Sequence, residues 1–187
     1  MNDIIDVWNS IEPPPAPKLQ PVAIDPKSTA LLVLDVQNNN CNTERRPRCV
    51  ESITKIRDFI LKARSKQIQV LYSLTSKAAV GDIRKEVAPL PGEPTVKSGV
   101  DKFYHTGLET ILREAGIESV VMVGTAAEGA VLHTASGAAL RGLKVIIPVD
   151  GMSSSFPYAE QYTAWHLVNS PGTKKRTKLT RLDMISI

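Results

Sequence analysis

The sequence predicts an α/β fold, a three-layer sandwich with a mainly parallel central sheet. Two observations carry that expectation. Short apolar runs alternate along the chain with segments whose apolar residues recur at helical spacing. The first run, Ala30–Val36 (ALLVLDV), is continuous, as in a strand buried on both faces of a sheet. Strands alternating with helices imply parallel neighbours joined by right-handed crossovers.

Each element follows from its own pattern. After the first strand, Val50, Ile53, Ile56, Ile60 and Ala63 repeat at helical spacing and predict a helix to Lys66. Ile68–Leu74 (IQVLYSL) reads as a second strand, and the stretch with Pro89, Pro91, Gly92 and Pro94 as a long surface loop. Thr106 is placed to cap a helix running to Ala115, with Leu108, Ile111 and Leu112 inward and Gly116 ending it. Ser119–Val123 is the third strand, and Ala127–Arg141 a helix of small residues closed by Gly142. Leu143–Val149 is the fourth strand, Tyr158–Asn169 a helix and Thr177–Met184 the last strand. There is no internal repeat.

The N-terminus stands apart. Six of the 13 prolines lie within the first 26 residues, which removes amide donors and favours extended backbone. Residues 1–28 are therefore expected to be a Pro-rich arm, and residues 29–187 the folded domain. Met1–Ser10 is expected to form a short helix whose Ile4, Ile5 and Trp8 pack on the body or on a partner subunit.

Composition narrows the function. A chain of 187 residues, 42% hydrophobic and 22% charged, fits one domain with a sizeable core and not a disordered chain. No apolar run approaches the roughly 20 residues that span a bilayer. Asp3 and Asp6 occupy the place of a signal peptide's basic region. A soluble, cytoplasmic protein without membrane partners is expected. The net charge of +4 and isoelectric point of about 9.1 invite a nucleic-acid reading. Yet Arg45, Arg46 and Arg48, and Lys174, Lys175 and Arg176, are short clusters without interleaved aromatics. They are expected to be solvated surface. If the arginines act, an anionic small molecule suits them better than a polyanion. Cys41 and Cys49 are too few for a disulfide framework and are expected to be free thiols.

Open parallel sheets bind ligands at the carboxyl ends of their strands. That singles out Asp35–Asn40, Thr75 onward, Thr125–Ala130 and Asp150–Ser155. Asp35, closing an apolar strand, is costly to bury without a partner and suits a general acid or base. Lys97 is a candidate to hold such a carboxylate ionised, and Lys102 competes for the role. His105, His133 and His166 have no ligand spacing, and neither HExxH nor CxxC occurs. No metal and no cofactor are expected. The GxSxG, GxxxxGK and GxGxxG motifs are also absent. Ser153–Ser155 reads as a loop before the last helix.

Taken together these residues form a recognisable order. An Asp ending strand one, a Lys before F-x-x-T-x-L, and V-G-T-A-x-x-x-A-V-x-x-T-A at the end of a strand resemble the isochorismatase-like superfamily, also called the cysteine hydrolase or nicotinamidase-like family. The resemblance runs from about Ala30 to Asp150 and implies a Rossmann-like hydrolase domain. It matches Asp35 to the catalytic aspartate and Lys97, six residues before Phe103, to the catalytic lysine. It implies a cis peptide at Thr125–Ala126, beside backbone amides aimed at developing negative charge. Gln37, Phe103, Thr125 and Ala126 become substrate-binding positions. It further implies a small-molecule substrate and a homo-oligomer.

One departure stands out. Six residues after Gly124, the family's nucleophilic cysteine is replaced by Ala130, which cannot attack a carbonyl. Gly124, Val131, Thr134 and Ala135 keep the register. Three readings follow: hydrolysis without a covalent intermediate, using Asp35 and Lys97 as true isochorismatases use their aspartate on a vinyl ether; Cys41 as a displaced nucleophile; or a binding or assembly homologue without catalysis. The Trp–Arg–Tyr that follows the lysine in true isochorismatases is Ser98–Gly99–Val100 here, so isochorismate itself is not expected.

Overall fold

The computed structural model describes all 187 residues. In chain order the strands are β1 (Val22–Ala23), β2 (Thr29–Leu34), β3 (Gln69–Thr75), β4 (Thr95–Ser98), β5 (Ser119–Thr125), β6 (Lys144–Pro148), β7 (Met152–Ser153), β8 (Thr177–Thr180) and β9 (Ile185–Ser186). The helices are α1 (Pro47–Ser65), α2 (Leu108–Glu114), α3 (Leu132–Leu140) and α4 (Pro157–Asn169). The main sheet has the order β4-β3-β2-β5-β6-β8 with every pair parallel, and β7 pairs the end of β5.

Strand periodicity builds the layers. All six residues of β2 are buried, because alternate side chains meet different helices. Leu31 and Val33 join Ile53, Ile56, Ile60 and Ala63 of α1 on one face. Ala30, Leu32 and Leu34 join Leu108 and Leu112 of α2, Ala135, Ala138 and Ala139 of α3, and Leu167 of α4 on the other. The alanines of α3 let that helix lie close against β5 and β6. The result is a three-layer α/β sandwich with a mainly parallel sheet, one helix on one side and three on the other.

Several boundaries differ from expectation. α1 starts at Pro47, since a proline at the first helical position gives up an amide that has no intrahelical acceptor anyway. The Pro-rich stretch before Lys97 ends in the edge strand β4, whose four residues are too few to show a period; Tyr72 N donates to Pro94 O at its start. The helix expected over 127–141 is a π turn, Ala127–Val131, followed by α3. The last strand stops at Thr180, and the chain goes through one 3-10 turn into β9. Met1–Ser10 forms only one 3-10 turn, Trp8–Ser10. Its Trp8 ring lies 6.4 Å from Tyr158 of α4. Further along the expected arm, Val22 is part of the core and β1 pairs with β9. No helix is long and apolar enough to cross a membrane.

The cysteines overturn an expectation. Cys41 and Cys49 are joined in a disulfide, with Cα atoms 5.3 Å apart, and both residues are fully buried among the α1-side core. Spacing along the sequence gave no sign of it, because the loop after β2 must first reverse to bring them together. The bond closes a short loop that includes Arg45 and Arg46. The purified protein should therefore resist iodoacetamide until it is reduced, with an intact mass two hydrogens below that of the dithiol. On the loop-entropy scale a closure of eight residues stabilises by about 2.5 kcal/mol. Cys41→Ser with Cys49→Ser should lower unfolding stability by about that much in a denaturant titration.

Candidate active site

The central strands β2 and β5 end side by side. Gly124, near the end of β5, has φ +129°, and a Cβ there would lie 2.0 Å from Leu34 O. Only glycine fits, so the two backbones close together at the carboxyl edge. Beyond that contact the chain turns through the Thr125–Ala126 peptide, which is cis as the resemblance implies. On the other strand Asp35 is the first residue past β2, in the left-handed region at φ 51°.

Asp35 is almost wholly enclosed. Its Oδ1 accepts from Ser73 Oγ of β3 at 2.7 Å, and its Oδ2 from Lys102 Nζ at 2.7 Å. Ser73 also accepts from the Asp35 amide, at 3.2 Å. Lys102 has 0% side-chain exposure. Besides Asp35, its ammonium reaches Gly99 O at 2.7 Å, Ser98 O at 3.4 Å and Leu74 O at 3.5 Å. With Asp35 these make four acceptors for three protons, so Lys102 places charge and holds Asp35 without a free donor for a further partner. Burial pushes the Asp35 carboxyl above its ordinary value, while Lys102, Ser73 and Arg46 pull against that rise.

The lysine assignment from the sequence is corrected here. Lys97 lies in β4, where Val96 and Ser98 point inward and Thr95 and Lys97 outward, so its side chain is exposed. The pair with Asp35 is made by Lys102, five residues later. Ser98 Oγ donates to Asp101 O at 3.0 Å and Tyr104 O at 2.9 Å, curling the loop back towards the sheet. Lys102 N then donates to Thr134 Oγ1 at 3.2 Å, and Thr134 Oγ1 donates to Val100 O at 3.3 Å. Thr134 is one helical turn beyond Ala130, a buried residue of the π turn. The Lys102 loop is thus docked on the helix that continues from Ala130.

Other expected residues divide. Gln37 is fully buried next to Asp35 in the chain; its Oε1 accepts from Asn40 Nδ2 at 3.2 Å and faces Thr75 N at 3.5 Å. Thr125 spends its hydroxyl on Ser153 O at 3.0 Å, which fastens β7 to β5, while Ala126 is half-buried in the turn. Phe103 is not a surface for substrate. It packs in the core on the α2–α4 side with the Arg141 guanidinium 4.5 Å from its ring centre, because the loop that sends Lys102 inward sends its neighbour under α3. Cys41 is no nucleophile, since its sulfur is bonded to Cys49.

The basic cluster is not uniformly surface either. Arg48 grips Glu160 of α4 through Nε at 2.8 and 3.0 Å and Nη2 at 2.6 Å, and Glu160 also accepts from Ser154 N at 2.9 Å. Arg46 is half-buried and donates through Nη1 to Asn40 O at 3.3 Å. Sequence reasoning missed Ser73 and Glu160, and used Thr134 only to fix the motif's register. A lone serine inside the apolar run IQVLYSL was a usable sign, because β3 register sets it opposite Leu34, beside Asp35. No group of three His, Cys, Asp or Glu side chains is gathered in a metal-binding arrangement.

Removing one partner of a buried pair costs about 3–5 kcal/mol, because the other charge is left uncompensated. Lys102→Met should lower stability by that order in chemical denaturation, whereas Lys97→Met should change it by less than about 0.5 kcal/mol. Equal effects of the two substitutions would reverse the assignment.

Residues 29–177 match the family model described as the Isochorismatase domain. An N-carbamoylsarcosine amidase from Arthrobacter sp. is 29% identical over 96 residues, 51% of this chain. The alignment spans only 36% of that relative's length. Among solved structures, an isochorismatase-like hydrolase from Alkaliphilus metalliredigens is 25% identical with a TM-score of 0.75, covering 83% of this chain and 95% of that one. N-carbamoylsarcosine amidase from Thermoplasma acidophilum shares the fold at 24% identity and a TM-score of 0.71, over 83% of this chain and 97% of that one. The nicotinamidase of Staphylococcus aureus does so at 22% and 0.70, over 83% and 99%. With the domain match running from the start of β2 to the start of β8, the chain belongs to the isochorismatase family.

Proposed function

We propose that this protein hydrolyses a small molecule, a vinyl ether in preference to a C–N bond, with Asp35 as proton donor and no covalent intermediate. One observation carries the reading: a carboxyl held between Ser73 and Lys102 at the carboxyl edge of the sheet, and pushed up by burial. A raised carboxyl keeps its proton to higher pH than an ordinary aspartate, the direction in which general acids are tuned. In this reading Ala130 occupies the place of the family's cysteine and supplies no nucleophile. The relatives' amidase and nicotinamidase names support hydrolysis as the reaction class.

The chemistry balances with water as the sole co-reactant. Asp35 gives its proton to the terminal carbon of the vinyl group, leaving an oxocarbenium ion. Water adds to the cationic carbon and loses two protons. One restores Asp35, and the other leaves with the ether oxygen as the hemiketal collapses to a ketone and an alcohol. Once the proton has gone, Lys102 stabilises the aspartate that remains.

A panel of vinyl ethers, amides and ureido compounds tests this directly. Asp35→Asn should lower kcat/KM on the responsive compound by about a thousandfold, and iodoacetamide should leave the rate unchanged. Undiminished turnover by Asp35→Asn would sink the proposal. The rate should fall on an alkaline limb set by a group titrating above 3.8, the ordinary aspartate value. Stability follows the same sign. A carboxyl whose folded value is raised contributes stability that is fully present below its unfolded value and is lost as pH rises through the folded one.

A further inference from the structure

We infer that the groove between the Pro-rich arm and α4 is a binding site for a small amphipathic acid, an apolar ring-bearing body with one anionic group. It shares no residue with the Asp35 site and stands whether or not the hydrolase reading does.

Helix α4 supplies the first observation. It buries Glu160, Thr163 and Leu167. Tyr158, Tyr162 and Trp165, spaced i, i+4 and i+7 on one face, are instead 61%, 40% and 36% exposed. An ordinary surface helix does the reverse and turns its polar residues outward. The arm stands over these rings as a second wall. Its Trp8 lies 6.4 Å from Tyr158 and is itself 53% exposed, so the rings meet without closing the surface. From Ile11 to Leu19 the arm's backbone makes no hydrogen bond. Gln20 N then donates to Leu179 O at 2.9 Å, and β1 follows on β9. A proline-lined wall facing a row of aromatics leaves a cavity of about 840 Å³ that also reaches Val149 and Leu179. No charged side chain lines it, and its size lies within the roughly 300–1,000 Å³ of small-molecule sites.

Charge selects the occupant. A second cavity, of about 460 Å³, adjoins the first across Pro14, Pro15, Pro17 and Trp165. Lys18 of the arm and Lys174, just before β8, line it, and no acidic residue does. Both lysines are exposed, and neither takes part in an ion pair. Lys175, Arg176 and Lys178 follow without an intervening acid. A neutral apolar molecule would leave the ammonium groups unused, and a polyanion would leave the rings unused. An organic acid with a flat apolar body uses both, because aromatic faces stack and ammonium groups attract the head.

6-Phenylhexanoate and its uncharged counterpart 6-phenylhexanamide make a matched pair of probes. The chain's two tryptophans, Trp8 and Trp165, both line the groove, so tryptophan emission follows binding alongside calorimetry on the full chain. The acid should bind saturably and about tenfold more tightly than the amide, a margin that shrinks as salt rises. Lys18→Gln with Lys174→Gln should bring the acid down to the affinity of the amide, and Lys66→Gln should leave the margin in place. Trp8→Ala should weaken both probes by about tenfold. Tyr158→Ala, at another exposed position, should do the same and guards against a fault confined to the arm. No saturable binding, equal affinity of acid and amide, a margin that survives the double lysine substitution, or affinities untouched by both ring substitutions would each overturn the inference. So would a dimer in sedimentation that Trp8→Ala dissociates and that binds neither probe, because the groove would then be covered by a second copy of the chain.

Discussion

The Asp35–Lys102 pair is the constraint to which the surrounding chain answers. Two charges buried together cost several kcal/mol each in lost hydration, repaid only when their remaining hydrogen-bonding capacity is met. Four pieces of chain meet it here. The end of β2 provides the carboxylate and β3 provides Ser73. The curled loop after β4 provides the ammonium and carbonyls, and α3 anchors that loop through Thr134. The pair also fixes register. Sliding β3 by one residue would turn Ser73 to the α1 side and set Tyr72 or Leu74 against the carboxylate, so one hydrogen bond selects among pairings that apolar packing alone would tolerate.

The lysine is the best measure of what the sequence discloses. Motif spacing pointed to Lys97, and spacing is blind to the face a strand presents. In β4 the alternation is set by Val96 and Ser98 turning inward, which commits Lys97 to solvent. Only the reversal at Ser98–Tyr104 brings Lys102 back to the sheet, and that reversal depends on hydrogen bonds between groups that carry no periodic signal. The central strands were legible because burial on both faces writes a continuous apolar run. Asp35 was legible because a carboxylate at the end of such a run is out of place. β4, the cystine and the partners of Arg48 were not, since each depends on contacts made by loops.

The loop from Asp35 to α1 is braced in three ways. The Cys41–Cys49 bond joins it to the first turn of the helix. Arg84 Nη1 donates to Cys41 O at 3.2 Å, and Arg48 ties the helix start to Glu160 across the sheet edge. Loops that carry binding groups are usually held less precisely than helices or strands. A covalent closure so close to Asp35 changes that, and gives Gln37, Asn40 and Arg46 a fixed mutual arrangement. The two cysteines therefore matter to the site through position and not through sulfur chemistry.

In the reading proposed above, the site works without a thiol, with Ala130 in the place of the family's cysteine. A thiolate nucleophile needs an exposed sulfur with a depressed pKa, and neither condition holds for the only sulfurs present in cysteine, which are bonded and enclosed. What the structure holds there is a buried carboxyl, its lysine partner and the close approach of β2 and β5 at Leu34 and Gly124. The proposed proton transfer needs those elements, plus a substrate held so that its reacting atom meets Asp35. Chemistry that relies on proton donation puts more of its demand on orientation than covalent catalysis does, since no bond to the enzyme holds the substrate in place. In the proposed reading, the disulfide-braced loop that follows Asp35 meets that demand.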